Sequence, residues 1–276
     1  MLVFTKMHGL GNDFVVLVPA QVGQHPWPAL ARRMCDRRFG IGADGLLLVL
    51  PSSEADLRMR MFNPDGSEAE MCGNGIRCFG KFVWERRFWA AADLTVETEA
   101  GLQRLRLDIT DDQVHTVQVN MRVPGQPPTT DTRLPGDDQA LLIIPGYELS
   151  LTLVSMGNPH AVAFLRDALA DFPLDAVGPV VEHHPLFPHR TNFEIVNVIG
   201  RGEISARVWE RGAGLTLACG TGACAAAVAG RLRGLCDERV RVHLPGGDLD
   251  IAWPGPGQDL FMTGPATTVF TGDWPE

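Results

Sequence analysis

Two short patterns occur twice along this chain, in the same order and at nearly the same spacing. Asn12, inside MHGLGNDF (Met7 to Phe14), precedes Cys72 of EMCGNGIRC by 60 positions, and Asn158, inside MGNPH (Met156 to His160), precedes Cys219 of LACGTGACAAAVAG by 61. A repeat on this scale is the mark of a duplicated supersecondary unit, so the fold has to be one that uses the same α/β unit twice. In both cysteine segments the glycines permit a tight turn and the residues that follow can start a helix. Each cysteine is therefore expected at a helix N-terminus, where unpaired N–H donors and the macrodipole favour negative charge. A thiol in that position is expected to titrate below its ordinary value of about 8.5.

The rest of the pattern is consistent with the repeat. Strand-like segments flank Met7 to Phe14, and Asn12, Asn158 and Asn192 are expected in loops, where asparagine serves turns. Pro28 to Arg38 reads as a short helix closed by Gly40. Leu46 to Leu50 reads as a buried strand, and Leu57, Met59 and Met61 alternate with Arg58 and Arg60 as a strand with one solvated face. After Cys72, the residues Ile76, Phe79, Phe82 and Val83 recur at helical spacing up to about Arg87. Three strands follow, at Leu94 to Thr98, Leu102 to Ile109 and Val114 to Met121. Pro124 to Gln139, rich in Pro, Gly, Thr and Asp, is expected to be a linker or exposed excursion. The plan then recurs: strands at Leu149 to Ser155 and Ala161 to Leu165, an alternating strand through Ile204, Ala206 and Val208, the second cysteine turn, and strands at Val240 to Leu244 and Leu249 to Trp253. Ala223 to Ala229 is almost wholly small and apolar, which predicts a helix buried on all sides. The expected fold class is α/β of the α+β type. It has two pseudo-symmetric lobes, each a mostly antiparallel curled sheet around a central helix, with both helix N-termini facing a shared cleft.

A net charge of -9 with no basic cluster argues against nucleic acid as a partner. Met1 to Asn12 has no signal-peptide pattern, and the apolar runs are far too short to span a bilayer, so the expected location is the cytosol with no membrane partner. The 6 cysteines, at 35, 72, 78, 219, 224 and 236, include no C-x-x-C pair and are expected to be reduced thiols. Only Lys6 and Lys81 are available for a pyridoxal Schiff base. His183, His184 and His189 lie in a proline-broken stretch without an i, i+4 helical pair, so no metal site is expected there.

Either cysteine alone reads as an inert buried thiol, but two at matching places of a repeat suggest a pair working on one substrate atom. One thiolate and one thiol make a two-base pair, and mutual repulsion keeps both from ionising together. Glu210 and Arg211, in WERGAG, lie just ahead of Cys219, and the aligned place in the first half is Asn63 to Gly66. A carboxylate there can hold an ammonium or raise a thiol pKa, and Arg211 can hold a carboxylate bidentately. Other readings stay open at this point. A Cys-His hydrolase, with His160 as base, leaves the second cysteine unexplained. A thiol-disulfide oxidoreductase normally has closely spaced cysteines.

The chain resembles the diaminopimelate epimerases along nearly its whole length. The resemblance is carried by MHGLGNDF at Met7, GIGADG at Gly40, FNPDGSEAEMCGNGIRC at Phe62, SMGNPH at Ser155, ERGAG at Glu210, ACGTGACA at Ala218 and LPGG at Leu244. It implies an epimerase free of pyridoxal, of any other cofactor and of metal, which interconverts LL- and meso-diaminopimelate on the route to lysine and, in many bacteria, peptidoglycan. It also implies a homodimer, and two lobes: 1-118 with 263-276, carrying Cys72, and 119-262, carrying Cys219. Cys72 and Cys219 fall on the two acid/base thiols, and His160 and Glu210 on residues that tune them. Asn12, Asn63, Asn158, Asn192, Glu210 and Arg211 fall on substrate-binding positions, and Gly73, Asn74, Gly220 and Thr221 on the turns that hold the α-carboxylate. The chain departs from the pattern in three places. Gly45 stands where some members have a substrate-contacting glutamine, Leu215 where glutamate is common, and Phe270 where a C-terminal tyrosine contributes to dimer contacts. Another cofactor-independent racemase on the same fold is the nearest alternative, and a redox thiol protein is the alternative from a different class.

Overall fold

The computed structural model of the protein describes residues 1–19, 26–129 and 139–275. Along the first part of the chain run β1 (Leu2–Gly9), β2 (Asn12–Leu17), α1 (Trp27–Cys35), β3 (Gly45–Leu50), β4 (Leu57–Phe62) and β5 (Glu68–Ala69). Then come α2 (Gly73–Glu85), β6 (Asp93–Thr98), β7 (Gly101–Thr110) and β8 (Gln113–Asn120). The second part holds β9 (Gln139–Ile144), β10 (Tyr147–Ser155), β11 (Pro159–Phe164), α3 (Leu174–Glu182), β12 (Asn192–Gly200), β13 (Glu203–Glu210) and β14 (Gly214–Thr216). It continues through α4 (Gly220–Leu232), β15 (Arg239–Leu244) and β16 (Gly247–Ala252), and the chain closes with β17 (Phe261–Gly264) and β18 (Thr267–Trp274). Two units result, Met1–Asn120 with Thr263–Glu276, and Met121–Met262.

In the first unit β1 and β2 form a hairpin around Leu10 and Gly11, both at positive φ, as a tight two-residue turn requires. The chain then crosses through α1 to β3, which lies parallel to β2. β3 turns back antiparallel into β4, β4 lies parallel to β6, and β6 to β8 continue antiparallel. β18 closes on the free side of β1. β3, GLLLVL, is buried along its whole length because α1 covers one face and α2 the other. Trp27, Leu30 and Met34 of α1 supply one apolar cluster with Leu46, Leu48 and Leu50.

The second unit repeats this connectivity. β10 and β11 form the hairpin, α3 is the crossover, and β12 lies parallel to β11. β13 is antiparallel to β12 and parallel to β15, and β15 pairs with β16. α4 packs against β10, β11, β12, β13, β15 and β16, and its ten residues from Gly220 to Gly230 other than Thr221 are buried. A larger side chain in that stretch would push the sheet away from the helix. Here Gly230 is the tightest point, since a Cβ on it would meet the Cys236 sulfur at 2.5 Å. α3 and β12 fall in a part of the sequence whose pattern predicts no element, because Pro179 sits inside the helix.

Two expectations need correction. Asn12 and Asn192 are the first residues of β2 and β12 and do not lie in loops. Only Asn158 sits in a turn between strands, because Gly157, at a φ of +94°, reverses the chain there. The linker expected over Pro124 to Gln139 lies for the most part outside the described residues, although Gly125 is bridged to Ser155.

Candidate functional site

In the first unit Cys72 is the N-cap of α2, a 13-residue helix, with extended backbone angles. Its carbonyl accepts from Ile76 N at 2.9 Å, which starts the helix and leaves the N–H groups of the first turn without intrahelical partners. The thiol donates to Asn12 Oδ1 at 3.7 Å, and Asn74 Nδ2 donates to the same oxygen at 3.2 Å. Asn12 is held from behind, since its Nδ2 donates to Asp44 Oδ2 at 2.8 Å. Asp44 in turn pairs with Arg37 at 2.7 Å, and Arg37 and Lys6 both grip Asp13. Burial works to raise the Asp13 carboxyl, but the hydrogen bonds from Arg37 and Lys6 prevail and hold it at about 2. Asn63 lies near the end of the same unit's β4 and donates from Nδ2 to Ser67 Oγ at 3.0 Å.

In the second unit Cys219 caps α4, also a 13-residue helix, and its sulfur accepts from Gly222 N at 3.3 Å. Thr221 Oγ1 lies 3.4 Å from that sulfur and accepts from Asn158 Nδ2 at 3.4 Å. Asn158 Oδ1 lies 3.0 Å from His160 Nε2, and His160 Nδ1 lies 2.7 Å from Glu194 Oε1. Both His160 and Glu194 are 0% exposed. Asn192 is engaged with the backbone, donating to Pro159 O at 2.9 Å and accepting from Arg211 N at 2.8 Å, so it fixes the start of the WERGAG turn. Arg211 is exposed and donates to His189 O at 3.0 Å. Glu210 accepts from Thr216 Oγ1 at 2.5 Å.

The cysteine chemistry differs from the expectation drawn from the helix N-terminus. Burial first, and then the negative charge of Glu210, push the Cys219 thiol well above its ordinary range, against the hydrogen bonds of Thr221 and Gly222. Dehydration of the anion is the largest effect here, because the sulfur is enclosed.

Sequence reasoning missed two residues of these clusters. Asp44 lay in the GADG segment without a role, and Glu194 lay in a run, NFEIV, whose five residues are all buried. A lone carboxylate among Phe193, Ile195 and Val196, in a strand start buried on both faces, was the available signal. Among the described residues no group of three His, Cys, Asp or Glu could hold a metal ion. His183 and His184 make turn contacts instead, with Pro179 O and Leu186 N.

The sequence model of the family described as diaminopimelate epimerase matches residues 4–124 and 152–269 of the chain. The chain belongs to the diaminopimelate epimerase family. Among its relatives, the diaminopimelate epimerase of Moorella thermoacetica is 55% identical over 278 residues, covering 99% of each chain. That of Pelotomaculum thermopropionicum is 50% identical, covering 99% of this chain and 98% of its own. Among solved structures, a probable proline racemase from Agrobacterium radiobacter superposes with a TM-score of 0.73 at 17% identity, covering 100% of this chain and 93% of that one. A phenazine biosynthesis protein of the PhzF family from Bacillus anthracis gives 0.72 at 16% identity, covering 98% of both chains. At such identities the likeness speaks for the fold alone. The family therefore has the two-unit architecture in common with enzymes and proteins of other names. Among the described residues no helix is long and apolar enough to cross a membrane.

Proposed function

We propose that this chain epimerises diaminopimelate between its LL and meso forms, with Cys72 and Cys219 acting as a two-base pair at one α-carbon. The family assignment supports the reaction. The observation that supports the residue roles is that each unit independently caps a long helix with a thiol and sets an asparagine behind it. An α-hydrogen is a very weak acid, so its removal needs strong stabilisation of the carbanion-like transition state. N–H groups of Gly73, Asn74, Gly220 and Thr221 belong to first helical turns, where the helix field suits a carboxylate. Asn12, Asn63, Asn158, Asn192, Glu210 and Arg211 complete the substrate-binding set.

The proton count balances without a cofactor. A thiolate on one face takes the α-proton and becomes a thiol, the opposite thiol gives its proton and becomes a thiolate, and configuration inverts. In the state described, Cys219 is held as a thiol and is ready to deliver a proton. When a substrate ammonium pairs with Glu210, the charge opposing ionisation at Cys219 is offset, which favours the thiolate needed for the reverse direction. His160 acts on Cys219 through Asn158 and Thr221.

The test is incubation with LL-diaminopimelate in deuterated water, with no pyridoxal added. The parent forms meso product carrying deuterium at the α-carbon, and Cys72→Ala and Cys219→Ala each abolish epimerisation. Full turnover by either variant sinks the two-base scheme.

The chain is further read as a cytosolic homodimer. Reduced thiols and a small amino-acid substrate suit the cytosol. On the paired strands β1 and β18, Val3, Val269 and Phe270 are 68%, 53% and 47% exposed, and apolar side chains left exposed on these strands suit contact with a second copy. Sedimentation is expected to give a dimer for the parent and a monomer for Phe270→Asp.

A further inference from the structure

The two units place different side chains behind equivalent cysteines. Strand register aligns them: Phe14 pairs with Gly45 across β2 and β3, and His160 pairs with Asn192 across β11 and β12. Phe14 thus corresponds to His160, and Leu47, two residues past Gly45, corresponds to Glu194. The helices give the same alignment independently. A Cβ on Gly75, three residues after Cys72, would meet Leu47 at 3.4 Å and Phe14 at 3.5 Å. A Cβ on Gly222, three residues after Cys219, would meet Glu194 Oε1 at 2.9 Å. One unit backs its thiol turn with a leucine and a phenylalanine, the other with a buried carboxylate and imidazole.

A buried Glu-His pair costs desolvation that an apolar pair does not, and among the described residues Glu194 Oε2 has no hydrogen-bond partner. The pair lies at the start of a chain of polar contacts that ends on sulfur. Asn158 Nδ2 donates to Thr221, so Asn158 Oδ1 is the atom facing His160, and His160 Nε2 must carry a hydrogen to meet it. The proton on the other side is shared between Nδ1 and Glu194 Oε1 at 2.7 Å, and wherever it sits the pair is neutral overall with Nε2–H as donor. Thr221 Oγ1, already accepting from Asn158, has its own hydrogen left to give to Cys219 Sγ.

We propose that Glu194 is a positioning residue that holds His160 as an Nε2–H donor, so that the relay His160, Asn158, Thr221 aims a hydroxyl hydrogen at Cys219 and supports its thiolate. The relay makes the two thiols chemically unequal, since the first unit has no counterpart to it. The proposal rests on the reading of Cys219 as an acid/base thiol only for its effect on turnover; its effect on the sulfur itself stands apart. Of the groups facing Cys219, Glu210 from β13 opposes ionisation, whereas the charge of Glu194 from β12 is offset by the proton it shares with His160, so the hydrogen bond from Thr221 is what the relay contributes in the other direction.

The decisive variant is the double replacement Glu194→Leu with His160→Phe, which installs the side chains of the other unit. Removing one partner of a buried pair is strongly destabilising, whereas replacing both by apolar residues is often neutral. Because the pair is neutral overall, the double change leaves the net charge near Cys219 unaltered and reports on the hydrogen bond. The readout is the rate of Cys219 alkylation by iodoacetamide against pH, followed on the Cys219 peptide by mass spectrometry. At a fixed pH below the midpoint, alkylation is expected to slow about tenfold, the effect of one hydrogen bond to an anion. Thr221→Val is expected to shift the profile in the same direction, with no further shift when combined with the double replacement. A purely structural role would change thermal stability and leave the alkylation profile in place, and that result overturns the proposal, as does full additivity with Thr221→Val. Should the profile move while Cys219→Ala still epimerises, the relay stands and the catalytic reading of Cys219 fails.

Discussion

Asn12 gives its amide Nδ2 to Asp44 at 2.8 Å and thereby turns its carbonyl Oδ1 toward the Cys72 thiol at 3.7 Å. The carboxylate, 32 residues away in sequence, determines which end of the amide the sulfur meets. With Asp44→Ala the amide is free to flip, and the loss of one hydrogen bond to a charged group, about 1.5–3 kcal/mol, predicts a fall in kcat/KM of about ten- to a hundredfold. Steady-state kinetics in both directions checks it. Arg37→Ala, which removes exposed ion pairs to Asp44 and Asp13 and leaves the Asn12–Asp44 hydrogen bond in place, is expected to change kcat/KM less than twofold or so.

Asp13 makes acid stability sensitive to a single residue. Its folded-state pKa of about 2 lies below the unfolded reference of about 3.9, so its contribution is fully present above pH of about 4 and is lost as pH falls through about 2. Asp13→Asn is therefore expected to be less stable than the parent at neutral pH and to lose less stability between those two limits. Urea titrations at several pH values across that window measure the difference in slope.

Glu210 opposes ionisation of Cys219. Glu210→Gln removes a negative charge near the sulfur, which lowers the thiol pKa and is expected to accelerate Cys219 alkylation severalfold at neutral pH. Epimerisation is expected to fall at the same time, because the carboxylate proposed to hold the substrate ammonium is lost. Alkylation that is unchanged or slower contradicts the electrostatic role.

Gly178 in α3 lies flat against Trp209, and a Cβ there would meet the indole at 2.4 Å. The ring cannot withdraw easily, since its Nε1 donates to the buried Glu182 at 2.8 Å. Alanine is favoured over glycine in a helix by about 1 kcal/mol, but overpacking costs about 1–3 kcal/mol, so Gly178→Ala is expected to lower the Tm. Calorimetry decides which effect wins.

Much of the architecture was legible in the sequence because it depends on local pattern. Leu46 to Leu50 had to be a buried strand, and the small residues from Ala223 to Ala229 had to be a helix enclosed by sheet. The crossover helix α3 was not legible, since Pro179 and Gly178 both argue against a helix and only packing against Trp209 overrides them. Asn12 and Asn192 looked like turn residues for the same reason. Their places at strand starts come from pairing with Gly9 and His160, partners that local propensity does not reveal.

The sequence alone determined that the unit is used twice, that a cysteine opens the central helix of each copy, and that the family is the diaminopimelate epimerases. These follow from spacing, glycine placement and motif order, all of which are written in one dimension. Only the tertiary structure decided what stands behind each thiol. The parallel register of β11 and β12 brings Glu194 to His160 across 34 residues, and the equivalent register in the first unit brings Leu47 to the side of Phe14. It also reversed the expected direction of the Cys219 pKa. Enclosure of the sulfur and the nearness of Glu210 depend on three-dimensional packing, and both raise the pKa of a buried thiol.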